Sequence, residues 1–167
     1  DYSLIDIPDY NNIGDNLIWE GELDYLSRLK YKKLFESNCW IFRDKDLPPN
    51  GIILIQGGGN FGDLYRESQD LKIHLIEKYI DRKIIIFPQS IHYNDMEFFK
   101  RDIHIIKNHP NLHICVRDKE SYDLLITNGL ENIYLLPDMA FCIDFSKYEI
   151  NPIHNNKKLL MKRKDKE

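Results

Sequence analysis

The sequence predicts an α/β fold, a doubly wound, mostly parallel, Rossmann-like sheet. Three observations carry that expectation. Aliphatic runs such as IILI (52–55), IIIF (84–87) and HICV (113–116) are continuous rather than alternating, as strands covered on both faces are. Segments of helical period lie between these runs. Strands and helices alternating at this rhythm call for right-handed crossovers and a parallel sheet.

The elements follow in order. SLIDIP (3–8) reads as a short first strand, and the polar DYNNIGDN leads into a helix with Trp19, Leu23 and Leu26 on one face, capped by Asp15 or Asn16. CWIF (39–42) reads as the second strand, and LPPNG breaks the chain after it. IILI is the third, ending in a glycine-rich turn. The next helix spans Leu64 to Tyr79, with Ile73, Ile76 and Ile80 on one face. After IIIF, the residues Met96, Phe99, Ile103 and Ile106 recur at three, four and three, the cleanest amphipathic pattern in the chain, with Asn94 or Asp95 as cap. HICV follows, then a helix from Ser121 to Asn128 stopped by Gly129 at a left-handed C-cap, then IYLL (133–136).

Composition narrows the function classes. With 167 residues, 43% of them apolar and 30% charged, the chain fits a soluble globular domain. Its apolar runs fall far short of the ~20 residues that span a bilayer, and no secretory signal pattern opens it. Cys39, Cys115 and Cys142 are an odd number without a CxxC pair, which fits reduced thiols and a cytoplasmic location. The net charge of −4 conceals a basic tail: residues 155–167 carry six Lys or Arg against two acids, leaving −8 on the rest. That body lacks the basic stripe a nucleic-acid surface needs. No spacing of His, Cys, Asp and Glu resembles a metal site.

In an open parallel sheet, ligands bind beyond the carboxyl ends of the strands. Five consecutive candidate strands deliver polar or glycine residues to that edge: NNIGDN (11–16), QGGGNFGD (56–63), PQS (88–90), RDKES (117–121) and PDMA (137–140). Gly57, Gly58 and Gly59 can expose successive N–H groups to a ligand, or they can simply let strand and helix meet closely. Gln56, Asn60 and Asp63 add hydrogen-bonding capacity beside them. The spacing is neither GxGxxG nor a P-loop, which disfavours nicotinamide and nucleoside triphosphate. Asn12, Gly14, Asp15 and Asn16 serve either a ligand or a capped helix start. Gln89 and Ser90 can donate to a ligand, while Ser121 reads more naturally as a cap. Arg117 offers a planar fork for a carboxylate or phosphate, or pairs with Asp118 or Asp138. Asp138 fits the cleft or a turn equally well. His92, in the loop after PQSI, is placed to act as a general acid or base.

The ordered set NIGD, IQGGGNFGDLY, FPQSI, VRDKESYDLL and LLPDMAF resembles the polysaccharide pyruvyl transferase family, from about Asn12 to Phe141. The resemblance implies a two-domain, GT-B-like architecture of two Rossmann-like halves facing across a cleft. This chain would be the N-terminal half, with residues 1–150 as its domain and 151–167 as a linker and the start of a truncated second domain. Family membership further implies transfer of a pyruvate ketal from phosphoenolpyruvate, as donor substrate rather than cofactor, to a sugar of a bacterial exopolysaccharide, capsule or cell-wall glycan. A lipid-linked acceptor and a peripheral place at the inner face of the membrane are compatible with it. His92, Arg117 and Asp138 are then the catalytic candidates, and Arg163 in the tail joins the strand-end residues in binding substrate. The half chain alone is expected to be inactive. The competing readings are a GT-B glycosyltransferase using a nucleotide sugar and a non-catalytic glycan-binding module.

Overall fold

The computed structural model describes residues 1–148. Seven strands form one parallel sheet: β1 (Tyr2–Ile5), β2 (Lys33–Ser37), β3 (Ile52–Ile55), β4 (Gly58–Gly62), β5 (Ile84–His92), β6 (Leu112–Val116) and β7 (Ile133–Leu135). The helices are α1 (Ile13–Ser27), α2 (Arg66–Lys78), α3 (Met96–Lys107) and α4 (Lys119–Thr127). Strand order is β2-β1-β3-β5-β6-β7, with β4 paired to β5. The chain moves one way from β1 and the other way from β3, so the crevice expected of a doubly wound sheet opens at their carboxyl ends.

Alternation along each strand sorts the core into two layers. Ile5, Ile53, Ile55, Ile84, Ile86, Ile114 and Val116 face α2, α3 and α4, where Leu75, Ile76, Phe99, Ile103 and Leu125 meet them. Leu4, Leu54 and Phe87 point the other way, against Ile18 and Leu26 of α1 and Met139. Period-2 alternation within continuous aliphatic runs therefore covers both faces, as the runs themselves predict. The α1 side is thinner, and an apolar trough of about 620 Å³ runs between α1 and the sheet, lined by residues that include Tyr25, Leu29, Phe87, Cys115 and Leu136.

Several boundaries differ from the sequence reading. The second strand is Lys33–Ser37, not CWIF. Asn38 ends it, because its Oδ1 accepts from both Trp40 N and Ile41 N at 3.0 Å, which curls 39–42 into a turn with Trp40 and Ile41 exposed. The first strand stops at Ile5, since Asp6 takes a left-handed φ of 68°. Ile80 lies beyond the end of α2 and is exposed. The glycine run is not merely a turn: the chain kinks at Gln56–Gly57 and resumes as β4, so that β3 and β4 together line one long β5. His92 accordingly belongs to a strand end rather than a loop. Helix α3, its Asp95 cap and the Gly129 C-cap (φ 73°) stand as expected. The expected second-domain strand and Arg163 lie outside the described residues. Among the described residues no helix is long and apolar enough to cross a membrane.

Candidate functional site

The site is built from the carboxyl ends of β1, β3–β4, β5 and β6, with the start of α1 leaning over them. Asn12, not Asp15 or Asn16, caps α1: its Oδ1 accepts from Gly14 N at 2.9 Å and Asp15 N at 3.4 Å. Asn16 ties the preceding loop by donating to Tyr10 O and Asn12 O. Asp15 is left turned toward the sheet edge, where its Oδ1 would lie 3.6 Å from a Cβ placed on Gly58 and its Oδ2 accepts from Tyr10 Oη at 3.0 Å.

Beneath this loop, side chains replace a missing neighbour strand for the backbone of β4. Gly57 N donates to Glu22 Oε1 at 2.8 Å, and Gly62 N donates to Gln69 Oε1 at 3.1 Å. Asn60 is fixed from the other layer. Lys72 Nζ, fully buried on α2, reaches Asn60 Oδ1 at 3.0 Å, Asp6 Oδ2 at 2.7 Å and Ser68 Oγ at 2.7 Å, while Asn60 Nδ2 donates to Asp6 Oδ2 at 3.0 Å. A buried Lys–Asp pair is tolerated when every remaining polar valence is filled in this way. Gln89 donates to Gln56 O at 2.6 Å, and Gln56 Nε2 to Asp15 O at 3.3 Å, linking β5, β3 and α1.

Arg117 stands at the end of β6, its backbone N bonded to Gln89 O. Of the two alternatives the structure shows the pairing with an acid: Nη1 meets Asp138 Oδ2 at 2.5 Å and Nε donates to Ser90 Oγ at 2.8 Å, while Nη2 lies 3.5 Å from where a Gly59 Cβ would stand. The arginine is thus oriented by an acid, and its third nitrogen sits over bare glycine. Asp138 also accepts from Ala140 N at 2.8 Å. Burial works against ionisation of Asp118, but hydrogen bonds from Ser121 and Ser90 and the charge of Arg117 hold its carboxyl below the usual range.

The structure therefore brings together Asp15, Gln56, Gly57, Gly58, Gly59, Gln89, Ser90, Arg117 and Asp138. Others of the predicted set are engaged in building the edge. Ser121 does not cap α4; Asp118 does, and Ser121 Oγ accepts from Ile91 N at 2.8 Å, tying α4 to β5. Asp63 accepts from Asn94 N and Asp95 N at the β5–α3 corner. Exposed His92 contacts Asn94 Oδ1 at 3.1 Å. Glu22, Asp6 and Lys72 are the residues that sequence reasoning missed. Glu22 was detectable, because it lies three positions from Trp19 and four from Leu26 and so falls on the apolar face of α1.

The family model for polysaccharide pyruvyl transferases matches residues 12–166. EpsO of Bacillus subtilis, provisionally named a pyruvyl transferase, is 39% identical over 138 residues, covering 81% of this chain and 42% of EpsO. Pyruvyl transferase 1 of Schizosaccharomyces pombe is 31% identical over 150 residues, covering 83% of this chain and 37% of its own. The chain thus spans less than half the length of these relatives. A crystal structure of a functionally uncharacterized protein from Klebsiella pneumoniae shares the fold, with a TM-score of 0.64 at 23% identity over 87% of this chain and 52% of that one. On a match that covers nearly its whole length, the chain belongs to the polysaccharide pyruvyl transferase family.

Proposed function

We propose that the complete protein transfers pyruvate from phosphoenolpyruvate to a sugar of a bacterial exopolysaccharide, capsule or cell-wall glycan, leaving it as a ketal. The described domain forms one wall of the cleft. In the reaction two sugar hydroxyls lose their protons and bond to C2 of the enolpyruvyl group, C3 takes up one proton to become a methyl, and the C2–O bond to phosphate breaks, the second proton leaving with inorganic phosphate. An anion site and a proton donor are needed. The observation that carries the reading is Arg117, a half-exposed guanidinium oriented by Asp138 and Ser90 with Nη2 over Gly59. Such a fork suits the carboxylate or phosphate of the donor. Asp138 has both oxygens occupied, so it serves to orient Arg117, and the proton donor lies outside the residues gathered around it, with His92, two residues beyond Ser90 on β5, as the candidate. The second half of the protein supplies the facing wall and further cations.

The test is transfer of radiolabelled pyruvate by the full-length protein to a glycan acceptor. Arg117→Ala should lower transfer by about 100-fold or more, the scale on which a transition-state charge partner acts. Its melting temperature should fall by only a few degrees, because a half-exposed ion pair contributes roughly 0–1 kcal/mol. Unchanged transfer in the variant would remove Arg117 from the anion site.

A further inference from the structure

Glu22 has no part in the roles above, yet it is fully buried at the base of the cleft. Oε1 accepts the Gly57 N–H, and Oε2 is buried without a partner among the described residues. A buried donor, Trp19 Nε1 on the preceding turn of α1, is also without a partner among the described residues, so it makes no hydrogen bond to Glu22. The Oε1 atoms of Gln56 and Gln89 are likewise buried and unpartnered, and the two amide nitrogens already donate to the backbone carbonyls of Asp15 and Gln56. The nearby cations are committed as well, Arg117 to Asp138 and Lys72 to Asp6. An ionised Glu22 would be a fully buried charge with no cation paired to it and one oxygen without a donor. A proton on Oε2 removes that charge and makes the orphan acceptor a hydroxyl.

We propose that Glu22 is a positioning residue of the pyruvyl-transfer reaction, an uncharged carboxylic acid that braces the glycine run through Gly57 and keeps negative charge away from the donor's place. The inference rests on the proposed function for its catalytic consequence, but not for its physical basis. Burial pushes the Glu22 carboxyl well above the usual range; the Gly57 N–H opposes this, and repulsion from Asp138 and Asp6 adds to it. Asp6, after β1, is itself bonded to Lys72, Asn60 and Ser68, and Asp138, after β7, to Arg117; Asp15 lies two turns earlier on the same helix as Glu22. Phosphoenolpyruvate, itself an anion, would be repelled by a further carboxylate beneath Gly57 to Gly59.

The sign of the pH dependence follows from linkage. The folded protein holds this proton at pH values where the unfolded chain, titrating near 4.5, has lost it. The Glu22 contribution is complete below that value and is eroded as pH rises toward the folded pKa. In Glu22→Gln, Oε1 can still accept from Gly57 and the amide supplies a permanent donor.

The experiment compares full-length wild type, Glu22→Gln and Glu22→Ala by melting temperature and by kcat/KM for phosphoenolpyruvate from pH 5 to 9. Glu22→Gln should match wild type in activity at pH 7, hold that activity further into alkaline pH, and show a melting-temperature advantage that widens as pH rises. Glu22→Ala should lose about 100-fold in kcat/KM, the cost of a misplaced binding wall. The inference is overturned if Glu22→Gln folds but is as inactive as Glu22→Ala, or if its melting temperature runs parallel to wild type across the range. A wild type that transfers no pyruvate would sink the functional reading alone, and the melting-temperature comparison would still decide the state of Glu22.

Discussion

Gly59 and Gly62 stand three residues apart in one strand and should respond in opposite ways to the same substitution. A Cβ on Gly62 would meet His92 O at 1.7 Å on a backbone with φ 131°, so Gly62→Ala should cost about 1–3 kcal/mol from backbone strain plus the clash. Urea unfolding would show it as a lower midpoint. A Cβ on Gly59 meets only Arg117 Nη2, at an ordinary 3.5 Å, so Gly59→Ala should keep the midpoint while its methyl obstructs access to that nitrogen and weakens donor binding. Lys72→Met makes a third case. It leaves Asp6 buried without its cation, and the loss should be about 3–5 kcal/mol, read in the same unfolding experiment. The sequence shows three glycines at 57–59, but a string of letters does not say which neighbour each missing Cβ admits. Arg117 was more legible: pairing with Asp138 was one of its two readings, whereas its second partner, Ser90, 27 residues away, was not.

At the scale of elements, periodicity identified α3, β3, β6 and the Gly129 stop, because in these the burial pattern and local propensity agree. CWIF failed because a side chain intervened: Asn38 bonds two successive N–H groups and converts an apolar run into a turn. Strand β4 escaped for a different reason. It is held by pairing with β5 and by Gln69 and Lys72, with Glu22 on Gly57 just before it, rather than by aliphatic alternation, so no strand pattern is written in GGNFG. Helix α1 depends on a cap one turn earlier than the first acid. Asn12→Ala should therefore lower stability by about 1 kcal/mol, whereas Asn16→Ala keeps the Asn12 cap, loses only the bonds to Tyr10 O and Asn12 O, and should cost less. Thermal unfolding of the two variants separates these outcomes.

For the whole molecule, the order of elements was enough to give the doubly wound sheet and to place a cleft at its carboxyl edge. Which residues face one another there was not, since Asp15, Gly58, Gln89 and Arg117 meet only after three crossovers close the sheet. The domain is acidic, so the anionic donor proposed above would be held by local, oriented groups rather than drawn in by a broad field. Titration calorimetry of the full-length protein with phosphoenolpyruvate and, separately, with a nucleoside diphosphate tests whether Arg117 holds the donor. Saturable binding of phosphoenolpyruvate that is lost in Arg117→Ala is expected. Binding of the nucleotide alone, or phosphoenolpyruvate affinity unchanged in the variant, would contradict it.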